Sequence, residues 1–139
     1  MNDLNQYNCV LLVDDDDTSL YLSAMTISRN SFAKHTHSMT SADMALNFID
    51  ENCEEKEVFK PIFCPDLIFL DINMPGMDGF DFLNEYNKLS DQIKSKIKVF
   101  MLTSSDNSRD REKADMQGVA GYIIKPLTND KLKSLIQVA

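Results

Sequence analysis

Five short apolar runs, at 10–13, 32–37, 67–70, 99–102 and 122–124, are separated by stretches whose apolar residues recur at helical spacing. This alternation constrains the chain more than any other feature. The runs are brief and rich in branched residues, as strands buried on both faces should be, and the one at 32–37 is the weakest. Between them, Leu20, Ala24 and Ile27 recur at four and three residues. Met44, Phe48 and Ile49 follow a related pattern, as do Leu83, Tyr86 and Leu89, and Leu132, Leu135 and Ile136 near the chain end. Thr128 is placed to cap the last of these helices, just after the Lys125–Pro126 step. Alternation of strand and helix predicts an α/β domain with a parallel sheet, and right-handed crossovers place helices on both sheet faces. With 139 residues, a single domain spanning 1–139 is expected, with a core that needs no staples and no output domain after it. The irregular stretch at about 52–65 reads as an acidic extension of the second helix followed by a long connection to the third strand.

Charge and cysteine usage narrow the possible partners. The formal net charge is −8, with no Lys/Arg cluster, so direct nucleic-acid binding is not expected. A cation or a partner protein suits an acidic surface better. No apolar span is long enough for a membrane helix, and the N-terminal residues lack a signal peptide's pattern, which predicts a cytoplasmic protein with no membrane insertion. Cys9, Cys53 and Cys64 form an odd set without a C-x-x-C spacing and read as buried reduced thiols.

In an open α/β sheet, ligands bind at the carboxyl ends of the strands. The residues that end or follow the apolar runs are Asp14 and Asp15, then Asp71, then Thr103 and Ser104, then Lys125. Three carboxylates on one rim raise one another's pKa unless a counter-charge relieves them. A hard divalent cation such as Mg²⁺ does so with a few carboxylates and water. A hydroxyl and an ammonium beside it supply what a phosphoryl group needs, and a carboxylate can itself accept that group. Asp71, the lone acid at a central strand end, is the best acceptor candidate, leaving Asp14 and Asp15 for the metal.

Four ordered blocks then form a family resemblance: "LLVDDDD", "PDLIFLDINMPGMDGFDFL", "VFMLTSS" and "GYIIKPLT". Together they resemble the receiver domain of bacterial response regulators, the CheY-like family, over the whole chain and in its stand-alone, single-domain form. The resemblance implies a flavodoxin-like, doubly wound five-stranded sheet in the order 2-1-3-4-5 with five helices. It implies that Asp71 accepts a phosphoryl group from a sensor histidine kinase or a histidine phosphotransfer protein in a two-component or phosphorelay system. Asp14, Asp15 and Asp71, with the backbone carbonyl of Asn73, would hold Mg²⁺ or Mn²⁺. Lys125 would pair with the phosphoryl group through a strand end whose bond to Pro126 is cis. Thr103 would bond the phosphoryl oxygens and Tyr122 would turn inward behind it, the two forming a switch. That switch would alter the surface made by the fourth helix, fifth strand and fifth helix, where a downstream effector binds. A monomer or a weak, phosphorylation-dependent dimer is implied, and an activity confined to its own phosphorylation and dephosphorylation. Asp17 stands where many relatives carry Pro or Glu.

Two other readings of the acids are weaker. A calcium loop starting at any of the four aspartates would lack Gly at its sixth position and Glu at its twelfth. An aspartyl-phosphate hydrolase of the haloacid-dehalogenase type normally carries its nucleophile near the N-terminus and adds a cap domain. Here the Asp71–Asn73 triplet lies mid-chain. Within the acidic run, Asp16 and Asp17 read as turn and helix-start residues, favoured by the positive end of the helix dipole. His35 and His37, alternating on a strand, read as ordinary exposed residues. Met74 and Met77 read as packing and loop residues, and Gly76 and Gly79 with Pro75 as a tight loop after the acceptor strand.

Overall fold

A computed structural model describes residues 7–53 and 63–137. The strands are β1 (Tyr7–Val13), β2 (Ala33–Met39), β3 (Leu67–Leu70), β4 (Lys98–Thr103) and β5 (Gly121–Ile124). They form one parallel sheet in the order β2-β1-β3-β4-β5. The helices are α1 (Asp17–Arg29), α2 (Ala42–Asn52), α3 (Gly79–Tyr86), α4 (Asp91–Lys94), α5 (Ser108–Met116) and α6 (Asn129–Gln137). The expected sheet order is present. One helix more than the expected five is described: the single turn α4, capped by the Ser90 hydroxyl, which accepts from the Ile93 amide at 3.3 Å. The expected fourth helix is therefore α5. Among the described residues no helix is long and apolar enough to cross a membrane.

Side-chain alternation along the strands divides the core in two. Val10, Leu12, Leu67, Phe69, Phe100 and Leu102 pack beneath α1 and α6 with Leu20, Ile27 and Leu132. Leu11, Val13, Ile68, Leu70, Val99 and Met101 face the opposite way, toward α2, α3 and α5. The inward face of α2 differs from the expected one. Ala42, Ala45 and Ile49 are buried, whereas Met44 is exposed, because small side chains let this helix lie close to the sheet. The Ile136 side chain lies outside the described residues.

Local capping sets the helix starts. Asp16 is the N-cap of α1 and accepts from the Thr18 amide at 3.0 Å, while Asp17 lies in the first turn. Asp78 and Asp81 form a reciprocal capping box on α3. The Thr128 hydroxyl accepts from the Lys131 amide at 3.3 Å and starts α6. The Lys125–Pro126 bond is cis, as expected.

The cysteine expectation is corrected. Cys53 and Cys64 are joined by a disulfide, with Cα atoms 4.8 Å apart, and Cys9 alone is a free buried thiol. Helix α2 runs back to the end of the sheet where β3 begins, so its C-cap Cys53 meets Cys64 although 11 positions separate them. The predicted acidic extension and connection fall largely on 54–62, outside the described residues. The histidines are also corrected: His35 and His37 are half-buried, with Phe63 packed edge-on against both rings.

Candidate functional site

The parallel register aligns the ends of β1, β3, β4 and β5 on one rim. Val13 pairs with Leu70 and Leu70 with Met101, while Thr103 pairs with Ile124. Backbone bonds carry this order one residue further: the Asp71 amide donates to the Val13 carbonyl at 3.0 Å and the Lys125 amide to the Thr103 carbonyl at 2.8 Å. Asp14, Asp71, Thr103 and Lys125 are thereby brought together from distant parts of the chain. Asp14 and Asp71 are only 5% and 6% exposed, and Thr103 is fully buried.

One carboxylate oxygen from each of Asp14, Asp15 and Asp71 lies within 4.8 Å of the others, and Asp15 is exposed to solvent. Asp16 and Asp17 are not in this group. They instead serve the start of α1, as the sequence reading of those two residues expects. Asn73 stands on the exposed loop two residues beyond Asp71. All three clustered donors are hard oxygens around a partly open space. That donor set fits Mg²⁺ or Mn²⁺ and does not suit a soft, thiolate-seeking metal.

Lys125 Nζ donates to Asp14 Oδ2 at 2.6 Å and to Asp71 Oδ2 at 3.2 Å. The remaining oxygens are bonded too: Asp14 Oδ1 accepts from the Asp16 amide at 3.0 Å and Asp71 Oδ1 from the Ile72 amide at 2.8 Å. Burial alone would raise the pKa of Asp14, but the Lys125 and Asp16 bonds outweigh it and hold Asp14 below its ordinary value. For Asp71 burial prevails. The Thr103 hydroxyl and the Lys125 ammonium offset only part of it, and the Asp14 charge adds to the rise. Burial disfavours the charged Lys125, but the two carboxylates more than compensate and raise its pKa. The two acids therefore differ: Asp14 is the firmly ionised one, and Asp71 is the one left short of counter-charge.

Glycine is required where α3 approaches this rim. A Cβ on Gly79 would lie 2.5 Å from the Asp71 carbonyl oxygen and 2.9 Å from Ile72 Cα. The Gly79 amide instead donates to the Ile72 carbonyl at 2.9 Å, fixing the loop after Asp71 to the helix start.

Behind the rim, Tyr122 is half-buried, and its hydroxyl donates to the Ser105 carbonyl at 2.8 Å. Arg111 lies over its ring at 4.6 Å from the centroid. The Ser105 amide in turn donates to Thr103 Oγ1 at 3.3 Å, and its hydroxyl donates to Asp110 Oδ2 at 2.7 Å. Ser105 thus connects Thr103, Tyr122 and the first turns of α5. Sequence reasoning named Thr103, Ser104 and Tyr122 but missed Ser105, Asp110 and Arg111. The available signal was an Asp five residues after a hydroxyl, in a helix's first turn.

With this geometry in hand, similarity to known proteins is specific. Residues 10–137 match the profile of the family described as the response regulator receiver domain. The chain is 30% identical over 128 residues to the protein PilH of Pseudomonas aeruginosa, covering 91% of this chain and 93% of that protein. It is 36% identical over 119 residues to the heme response regulator HssR of Staphylococcus epidermidis, covering 86% of this chain but only 45% of the relative. A two-component response regulator from Cytophaga hutchinsonii superposes with a TM-score of 0.82 at 31% identity, covering 96% of this chain and 97% of the other.

Proposed function

This chain belongs to the response regulator receiver domain family of two-component signalling, and on that premise we propose that Asp71 is its phosphoryl acceptor. The carrying observation is the placement of a buried acid at the end of β3, with Asp14 and Asp15 beside it and Lys125 3.2 Å away. The donor is a phosphohistidine on a sensor kinase or a phosphotransfer protein. An Asp71 oxygen forms the new O–P bond as the donor's N–P bond breaks, and the imidazole leaves with that electron pair. Bound Mg²⁺, held by Asp14, Asp15, Asp71 and the Asn73 carbonyl, supplies charge neutralisation for the transferring group. Lys125 then pairs with a phosphoryl oxygen, and its bond to Asp14 keeps it on the rim. The buried Thr103 hydroxyl turns to a phosphoryl oxygen once the acyl phosphate forms.

That turn reaches the protein surface through Ser105. Its amide bonds the Thr103 hydroxyl and its carbonyl bonds Tyr122, while its hydroxyl is held by Asp110 of α5. A displaced Thr103 therefore perturbs the loop, the Tyr122 ring and α5 together, and a ligand-linked population shift follows. We assign effector binding to the surface of α5, β5 and α6 on this basis. The chain acts as a signalling module that turns over only its own phosphoryl group.

Labelling with a small phosphodonor tests this reading. Excess acetyl phosphate should give one phosphoryl group per chain, only with Mg²⁺ or Mn²⁺, and none in Asp71→Asn. Many turnovers on phosphate esters, or undiminished labelling of Asp71→Asn, would overturn it.

A further inference from the structure

We propose that Cys53 and Cys64 form a reversible thiol–disulfide site, exchanging with dithiols as its class of redox partner, and that the closed bridge seats Phe63 on the histidines of β2. Three contacts converge on this corner of the molecule. Cys53 caps the C-terminus of α2, its amide donating to the Ile49 carbonyl at 2.9 Å, and it is bonded to Cys64. The neighbouring Phe63 ring meets His35 edge-on at 5.2 Å and His37 at 5.0 Å between centroids. The Phe63 carbonyl accepts from the Cys9 thiol of β1 at 3.6 Å. The bridge thus ties α2 to Cys64, whose neighbour Phe63 rests on both β1 and β2.

The third sulfur does not compromise the pair. Cys9 is wholly buried, and burial, helped by the Asp66 charge, pushes its thiol up to about 11. The thiolate is the species that attacks a disulfide. Cys9 stays protonated near neutrality, so the bridge does not reshuffle onto it. Both bridged residues are themselves buried, so exchange proceeds through local opening of this corner. A reducing dithiol then attacks one sulfur as a thiolate, forms a mixed disulfide and releases the other cysteine, which takes a proton. The reductant's second thiol closes its own disulfide and frees the remaining cysteine, completing a two-electron reduction. In a thiol-reducing compartment, bridges of this kind are redox-sensing and not permanent.

The site is separate from the phosphoryl chemistry. Cys64 precedes β3 and Asp71 follows it, so the strand stands between them. The redox site does not depend on the function assigned to Asp71, and only the comparison of beryllofluoride affinity rests on it.

The full chain is equilibrated in glutathione buffers of graded ratio with a catalytic amount of a dithiol, quenched by alkylation under denaturing conditions and weighed. Oxidising buffers should give a single alkylated cysteine, Cys9, and reducing buffers three, with a reversible transition between them. The Cys9→Ser variant should keep the transition. Three alkylated thiols at every ratio, or a bridge that cannot be reopened, would overturn the site. Reduction should also lower Tm by about 10 °C, the scale for a ring of this size in a small domain. It should shift the ring-proton resonances of both His35 and His37, and Cys53→Ser with Cys64→Ser should reproduce both changes. Unchanged histidine resonances would defeat the seating of Phe63. Beryllofluoride affinity should change less than twofold between the two forms, and a larger change would refute the separation of the sites.

Discussion

Lys125 and Asp14 lie 111 positions apart in the chain, yet Nζ stands 2.6 Å from Oδ2, closer than its 3.2 Å approach to Asp71. The lysine is therefore anchored by one acid and shared with the other. This leaves Asp71 bonded but incompletely neutralised.

Removing that anchor should expose the repulsion. Lys125→Ala leaves two buried acids without their ammonium, and about 1–3 kcal/mol of stability should be lost without metal. Urea denaturation with and without Mg²⁺ checks this, since the cation should restore part of the loss. A variant as stable as the parent in EDTA would show that Lys125 does not neutralise the pair.

The acidic run should divide at Asp15. Asp15→Ala should weaken Mg²⁺ binding at least tenfold, measured by calorimetry because the chain has no Trp to report it. Asp17→Ala should leave binding intact and cost under about 1 kcal/mol through the α1 dipole. Equal damage to binding from both would place the boundary wrongly.

Gly79→Ala should strain the approach of α3 to the acceptor strand, costing about 1–3 kcal/mol and slowing phosphorylation. Gly76, with φ +75° and open space around it, makes a useful contrast. Its alanine variant should lose only about 1 kcal/mol, from backbone strain, and keep its labelling rate. Equal rates in the two variants would detach Gly79 from the geometry of the site.

Arg111 should act on Tyr122 without affecting acceptor chemistry. Arg111→Ala should leave labelling stoichiometry unchanged while averaging the Tyr122 ring resonances, and Arg111→Lys should largely restore them. If acetyl phosphate labelling fell instead, Arg111 would belong to the reaction and not to the switch.

His37 should add a pH dependence to stability. Burial, and then the neighbouring His35, hold its imidazole below the ordinary 6.5, and Nε2 is buried with no partner among the described residues. The unfolded chain titrates near 6.5 and the folded chain lower, so between these values the unfolded state binds more protons. Stability should therefore fall as pH drops through about 6.5 and level off below the folded value. The drop in urea midpoint over this range should shrink in His37→Gln. An identical slope in the variant would assign the effect to other groups.

The parts of the fold that the sequence displays are those in which burial and chemistry are adjacent in the chain. Each buried strand is a short apolar run, and Asp14, Asp71 and Lys125 follow such runs directly. Helix α5 lacks a comparable signal because only Ala114 of its nine residues is buried. On α2, the inward residues are two alanines and Ile49, so the larger Met44 suggested the wrong face. The disulfide depends on how α2 returns to β3, and an 11-residue spacing carries no local mark of it. The burial of His35 and His37 likewise comes from rings remote in sequence, Phe63 against both and Phe48 against His37. Ser105 is one hydroxyl among several in the sequence, and only folding gives it bonds to Thr103, Asp110 and Tyr122.

The span between Asp14 and Lys125 has a consequence for a chain still being synthesised. The lysine that completes the pocket follows β5, and Asp71 lies 54 positions before it. Until β5 docks beside β4, Asp71 has neither its ammonium partner nor the Thr103–Tyr122 connection. On the proposed reading, incomplete copies should be mute: without the Lys125 ammonium and the aligned strand ends they should not take up the phosphoryl group, so labelling would report completed folding.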